Sequence, residues 1–434
     1  MIGSVYNQKR HVGREILLSL ATLVFSIVFA ISNVSGNLRV LDVSHSVSVL
    51  SITVMMYNVT YTITSLLWPK VFGGLFSRKT LLLISSLILS LAPLILSITN
   101  NLQAIILANM MLGFALALFT PNAITFFIDY TGREHVGITK FNTSSNLGLV
   151  IGYFIGGIAR SFVDLEELLL TASIINTVSV FAIVLLPERY LLIEPKRITY
   201  VSLLPYFIGK LRVLPVIFTT QNMVIDINRF IVSFKKIVYK NLVRKVPLVF
   251  IGTLLLFTAI AQYFTPMPAY MRLIGLGDSV LFIMGLFASI TSTMCFKIMH
   301  KYIMNVETAW RLLIASTTSR IILFLIPLIP LIVVNLPLVS KLLLIALFYL
   351  AIGFSWAGIS SALTYIVVNI AGPRERSERL GQLNTVIGLG TIIGSFISGI
   401  ITSALGYEVN MATAITMVTI ATLLYYRAWK AIID

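Results

Sequence analysis

Asn142–Ile158 reads NTSSNLGLVIGYFIGGI, and Asn384–Ile400 reads NTVIGLGTIIGSFISGI. The two stretches align at an offset of 242 residues, with matched Asn-Thr pairs and matched glycines at Gly148/Gly390, Gly152/Gly394 and Gly157/Gly399. Apolar composition alone does not put glycines in register, so the chain carries an internal repeat. A second echo supports it: Arg39–Val47 (RVLDVSHSV) and Arg272–Val280 (RLIGLGDSV) share a pattern at an offset of 233. Each copy is read as an outer loop following the first apolar segment of its repeat.

Of 434 residues, 58% are hydrophobic and 11% are charged, about half the charged share of a soluble domain. The charges cluster, leaving uncharged stretches such as 16–38, 43–69, 141–159, 246–271 and 380–407. A helix of about 20 such residues crosses the hydrocarbon of a bilayer. The uncharged stretch 80–128 is too long for one crossing and divides at the polar run Thr99–Gln103. Residues 312–334 form another segment, interrupted by one charge, Arg320. The predicted fold is an all-α integral membrane protein, with twelve transmembrane helices as two parallel six-helix repeats. Its divisions are 1–187, an N-terminal six-helix bundle; 188–245, a cytoplasmic connector; and 246–434, a C-terminal six-helix bundle. Within the connector, 198–209 and 213–225 are short apolar runs broken by Pro205, Lys210, Arg212 and Pro215. They are read as stretches lying in the membrane interface; their insertion, giving fourteen helices, is the alternative.

Placing both termini in the cytoplasm puts 27 of the 32 Lys and Arg residues on the inner side, as the positive-inside rule requires. A plasma-membrane location with both termini cytoplasmic follows as the expectation. The basic residues are spread over seven inner segments, so the net charge of +16 points to anionic lipid headgroups and not to nucleic acid. Lys9, Arg10 and Arg14 precede a long apolar run without a small-residue cleavage site, which reads as a retained first helix. The single cysteine, Cys295, excludes an intramolecular disulfide. No metal-ligand cluster or nucleophile–base spacing stands out, so neither an enzyme nor a cofactor is expected.

With these features the sequence resembles the major facilitator superfamily, over nearly the whole chain apart from the connector. Gly148, Gly152, Gly156 and Gly157 are similar to the family's glycine motif of exporters and antiporters, with Tyr153 where that motif has proline. Gly73–Lys79 resembles its loop signature, through Gly73 and Arg78, with Ser77 in place of the acidic residue. Asn109 and Gly113 match a motif whose first residue is usually arginine. The stretches Asp129–Glu134 and Gly372–Arg379 are similar to the loops leading into the fifth and eleventh helices. The resemblance implies alternating access by two rocking halves, a cavity lined by the first, fourth, seventh and tenth helices, and glycine stripes where the halves meet.

On those helices stand Asn33, Asn109, Asn122, Gln262, Tyr263, Trp356, Ser360, Ser361, Thr364 and Tyr365; the second helix adds Tyr57, Asn58 and Tyr61. Such amides and aromatics suit a neutral or amphiphilic organic solute. Gly390, Gly394 and Gly399 repeat the stripe of the fifth helix as a second sliding surface. No Asp or Glu falls inside a predicted span, so a facilitator or exchanger is expected, with Asp42, Asp129 and Asp278 as coupling or ion-pairing candidates at the mouths. Arg320 is expected to reach headgroups or neighbouring carbonyls. The leading function is a monomeric secondary transporter of a small organic molecule, with export slightly favoured. A transporter-like sensor or scaffold and an amphiphile flippase are the alternatives.

Overall fold

The computed structural model describes residues 2–71, 77–131, 134–187, 246–303, 305–333, 335–370 and 376–433. The connector 188–245 and Gly73 lie outside them. The N-terminal set of helices is α1 (Ile2–Ser44), α2 (Val47–Val71), α3 (Arg78–Ile98), α4 (Leu102–Thr131), α5 (Glu134–Ala159) and α6 (Leu165–Leu185). The C-terminal set is α7 (Val246–Phe264, followed by the short helix Met267–Leu273), α8 (Asp278–Tyr302), α9 (Val306–Leu325), α10 (Leu338–Ile370) and α11 (Arg376–Ile433). No strand occurs among the described residues.

Among the described residues, ten helical segments are long and apolar enough to cross a membrane. The expected break at Thr99–Gln103 is present: α3 stops at an extended Thr99 and α4 starts at Leu102. Two departures explain why ten segments stand where twelve helices were expected. α5 falls short of that hydropathy because its first half holds Asn142, Thr143, Ser144, Ser145 and Asn146. α11 counts once although its path bends at Gly406, where φ is 90°; that left-handed value costs glycine little, and it separates a first arm before Gly406 from a second arm after it.

Local chemistry sets several ends. The Ser77 side chain accepts from the Thr80 amide at the start of α3. Asn305 and Thr308 form a reciprocal capping box on α9. Glu166 and Glu167 occupy the first turn of α6, where the helix dipole favours negative charge. One sequence expectation is corrected at the end of α1. Arg39 and Asp42, read as an outer loop, belong to α1, which continues to Ser44. Arg39 holds that end in place: it pairs with Glu166 of α6 at 2.5 Å and donates to the Thr99 carbonyl and the Asn100 side chain.

Within the N-terminal set α1 packs on α5 and α6, α3 on α4 and α6, and α2 on α4; within the C-terminal set α7 packs on α11, α8 on α10, and α9 on α10 and α11. Between the sets, α2 lies against α11 and α5 against α8. The repeat makes α8 the counterpart of α2, and the first arm of α11 the counterpart of α5. Both seams between the sets are therefore built from the same pair of elements, used twice.

Candidate functional site at the junction of the helix sets

The repeated glycines divide into two kinds of contact. On α5, Gly152 faces the Ile27 carbonyl of α1 so closely that a Cβ there would lie 2.5 Å from the oxygen, and Gly148 meets the Leu23 carbonyl in the same way. On α11, Gly394 meets the Thr258 carbonyl of α7 and Gly390 that of Leu254. These four glycines close seams inside each set, which corrects the expectation that they form surfaces sliding between the halves. The reason is geometric: only an absent side chain lets two helix backbones approach this far. A second repeated crossing went unseen in the sequence. Gly113 of α4 meets the Tyr57 carbonyl of α2, and Gly353 of α10 meets the Ala288 carbonyl of α8.

The remaining stripe glycines do face the other set. Gly156 lies under the Phe282 ring and Gly157 beside Ile283, both on α8; Gly399 of α11 lies against Ser51 and Ser48 of α2. Between them Tyr153, the residue standing where the resembled motif has proline, places its ring on Gly285 of α8, 2.9 Å from where a Cβ would be. Tyr153 lies near Tyr57 of α2 and Tyr349 of α10, and Tyr57 lies near Tyr61 one turn on. Asn58 adds a polar link across the seam, donating to Ser395 Oγ at 3.0 Å.

One end of the junction is tied by charge. Arg272, beside α7, reaches Asp42 of α1 at 2.7 Å and Asp278 of α8 at 2.7 Å. Arg160, after α5, reaches Asp278 at 3.2 Å. Asp42–Arg272 and Arg160–Asp278 join the two sets, while Arg272–Asp278 holds the C-terminal partners together. At the opposite end Arg78 pairs with Asp129 inside the N-terminal set, linking α3 to α4, and Lys140 of α5 pairs with Glu15 of α1.

The predicted cavity residues separate accordingly. Asn33, Tyr57, Asn58, Tyr61, Asn122, Ser360, Ser361 and Tyr365 are half-buried, Thr364 is exposed, and Trp356 is 37% exposed with its ring edge-on to Phe257. Asn109, Gln262 and Tyr263 are instead inside the packing. Asn109 donates to Ile105 one turn back, Gln262 donates to Asn410 and Thr413 of α11, and Tyr263 stacks on Phe324 and donates to its carbonyl at 2.9 Å. Helix faces alternate every three to four residues, and the sequence alone did not say which face of α7 looked inward. Tyr153, Tyr349, Arg160 and Ser395 are the residues that reasoning missed. Tyr153 carried a signal, as a large side chain amid glycines.

A bundle of apolar helices, repeated in two sets that meet along symmetric seams with tyrosines between them, defines a polytopic membrane carrier. The chain belongs to the Major Facilitator Superfamily, whose family model matches residues 18–336. It is a transporter and not an enzyme, with a fold suited to secondary transport of small solutes. Among solved structures it is similar to a mutant form of the nucleoside transporter NupG, at 11% identity and a TM-score of 0.71, covering 96% of this chain and 99% of that one. It is also similar to a bacterial homolog of the human lysosomal transporter Spinster in an inward-facing, unoccupied conformation, at 13% identity, a TM-score of 0.64 and 97% of both chains. A peptide transporter, POT, in complex with alafosfalin shares the fold at 14% identity and a TM-score of 0.67 over 95% of both chains. No curated protein sequence matches the chain.

Proposed function

We propose that the protein moves a small neutral or amphiphilic organic solute across the plasma membrane by alternating access. Residues 1–187 and 246–434 act as two six-helix halves, joined by the cytoplasmic connector 188–245, in a monomer with both termini cytoplasmic. Twelve crossings follow when α5, at 26 residues, counts as one and α11 as two arms turning at Gly406. The observation that carries the reading is the doubled seam: α2 on α11 and α5 on α8. Two equivalent seams give the halves a common axis about which to rock, and a solute between them meets both repeats alike.

In this reading the solute binds among Asn33, Tyr57, Tyr61, Asn122, Tyr153, Tyr349, Trp356, Ser360 and Tyr365, with Asn58 at the seam. Tyrosine rings supply apolar faces and their hydroxyls supply orientation without the desolvation cost of a charge. The Asp42–Arg272 and Arg160–Asp278 pairs close the outer mouth. Gly156, Gly157 and Gly399 are the glycines at which the halves move against each other. Export is the favoured direction, supported by the glycine pattern of α5.

The test is transport in proteoliposomes against a panel of solutes, using Asp42→Cys/Arg272→Cys on a Cys295→Ala background. A short bifunctional thiol reagent bridging the two cysteines should stop transport, and reduction should restore it. Undiminished transport with the bridge in place would exclude alternating access through this mouth.

A further inference from the structure

Arg320 lies on α9, in the interior of the C-terminal set, and is 1% exposed. The sequence reading sent it toward headgroups or backbone carbonyls; it reaches neither. Its Nε donates to Ser355 Oγ of α10 at 3.2 Å, and its guanidinium carbon stands 5.9 Å from the centroid of the Phe324 ring. Nη1 is fully buried and has no hydrogen-bond partner among the described residues. No carboxylate among the described residues pairs with it.

One turn earlier on the same face, Ser316 also has a buried Oγ without a hydrogen-bond partner among the described residues. Ser355 draws the two together, because its hydroxyl accepts from Arg320 and donates to the Ser316 carbonyl at 2.9 Å. The Ser355 proton is therefore already committed. What remains at this point are donors, Nη1–H of Arg320 and the hydroxyl of Ser316, with no acceptor to meet them. A buried guanidinium without a counter-charge is costly, and one serine oxygen does not neutralise it.

We infer that Arg320 and Ser316 bind a small monovalent anion, a halide such as chloride, between α9 and α10. The crossing favours a monatomic ion over a carboxylate or phosphate. Gly358 of α10 lies directly against the Ser316 hydroxyl, whose Oγ is 2.0 Å from where a Cβ on Gly358 would stand, so the helices are close. Phe324, beside the guanidinium, packs against Tyr263 and Phe348, and the one hydroxyl of this cluster, that of Tyr263, already donates to the Phe324 carbonyl, so no donor is left over for further oxygens. α9 packs on α10 and α11, within its own set, so the ion would serve the folded C-terminal helices and not travel as cargo.

The experiment is thermal unfolding of the purified full chain in chloride against gluconate at constant ionic strength. A ligand that binds only the folded state raises the melting temperature with concentration, so the expected result is a rise with chloride and none with gluconate. Arg320→Met removes the charge at similar volume, a change that buried ion sites tolerate, and should make the protein indifferent to chloride. Ser316→Ala should keep the fold and move the chloride midpoint upward about tenfold, the worth of one hydrogen bond. Equal melting temperatures in the two anions would overturn the site. So would a chloride response that persists undiminished in Arg320→Met, or, if that variant does not fold, an unmoved midpoint in Ser316→Ala.

Discussion

Gly152 and Ile27 meet backbone to backbone, with 2.5 Å between the Ile27 oxygen and the position a methyl group on Gly152 would take. Neither α1 nor α5 yields there by rotating a side chain, so an added carbon pushes the helices apart. Gly152→Ala is expected to destabilise by about 1–3 kcal/mol, the usual cost of overpacking, and Gly152→Leu to abolish the folded protein. Gly156 stands against the Phe282 ring in the other set, a side chain and not a helix backbone. Gly156→Ala should therefore melt within a few degrees of the parent yet change transport rate. Melting curves read by tryptophan fluorescence, paired with proteoliposome uptake, separate the two behaviours; equal stability losses at Gly152 and Gly156 would contradict the division.

Asp42 and Arg272 are each about a third exposed, so their pair is discounted for solvent and is worth about 0.5–1 kcal/mol. Asp42→Asn removes the cross-set contact while Arg272 keeps Asp278. The population open at this end should rise about two- to fivefold. Labelling of Ser51→Cys on a Cys295→Ala background by a membrane-impermeant maleimide measures it. Unchanged labelling would mean that apolar packing alone holds this end shut.

Much of this architecture was legible in the sequence because it is written twice. The matched glycines of Asn142–Ile158 and Asn384–Ile400 gave the repeat, the helix equivalences and the family. What sequence did not supply is which neighbour each glycine meets. A stripe with a period of four residues is the same string whether it closes α5 on α1 or α5 on α8, and Gly148 to Gly157 does both in succession. Gln262 and Tyr263 illustrate the same limit: adjacent polar residues on α7 turn to Asn410 and Phe324, inside the packing, for reasons that lie on other helices. Charge pairs were hidden for want of distance information, since Arg160 and Asp278 are far apart in sequence and meet only in the fold.

Tyr153 sits on Gly285 across the seam, with Tyr57 and Tyr349 nearby. Removing its hydroxyl leaves the ring in its slot. Tyr153→Phe should raise KM for the transported solute about three- to tenfold, one net hydrogen bond, with an unchanged melting temperature. Gly285→Val should instead displace the ring and lower the maximal rate. Michaelis curves for both variants decide it; a Tyr153→Phe protein with parental KM would remove this hydroxyl from the binding site.

Most carboxylates of the described helices are paired: Glu15 with Lys140, Asp42 with Arg272, Asp129 with Arg78, Glu166 with Arg39, Asp278 with Arg272 and Arg160, and Glu307 with Arg311. A proton relay needs a group free to gain and lose its proton within the carrier, and these carboxylates are engaged in ion pairs. Exchange of labelled solute in proteoliposomes should therefore proceed without a pH gradient and persist with a protonophore. Asp42→Asn, Asp129→Asn and Asp278→Asn, made singly, should alter rates without changing this independence. Strong accumulation driven by a pH gradient that survives all three substitutions would show that the coupling group lies elsewhere and that the carrier is not a simple facilitator or exchanger.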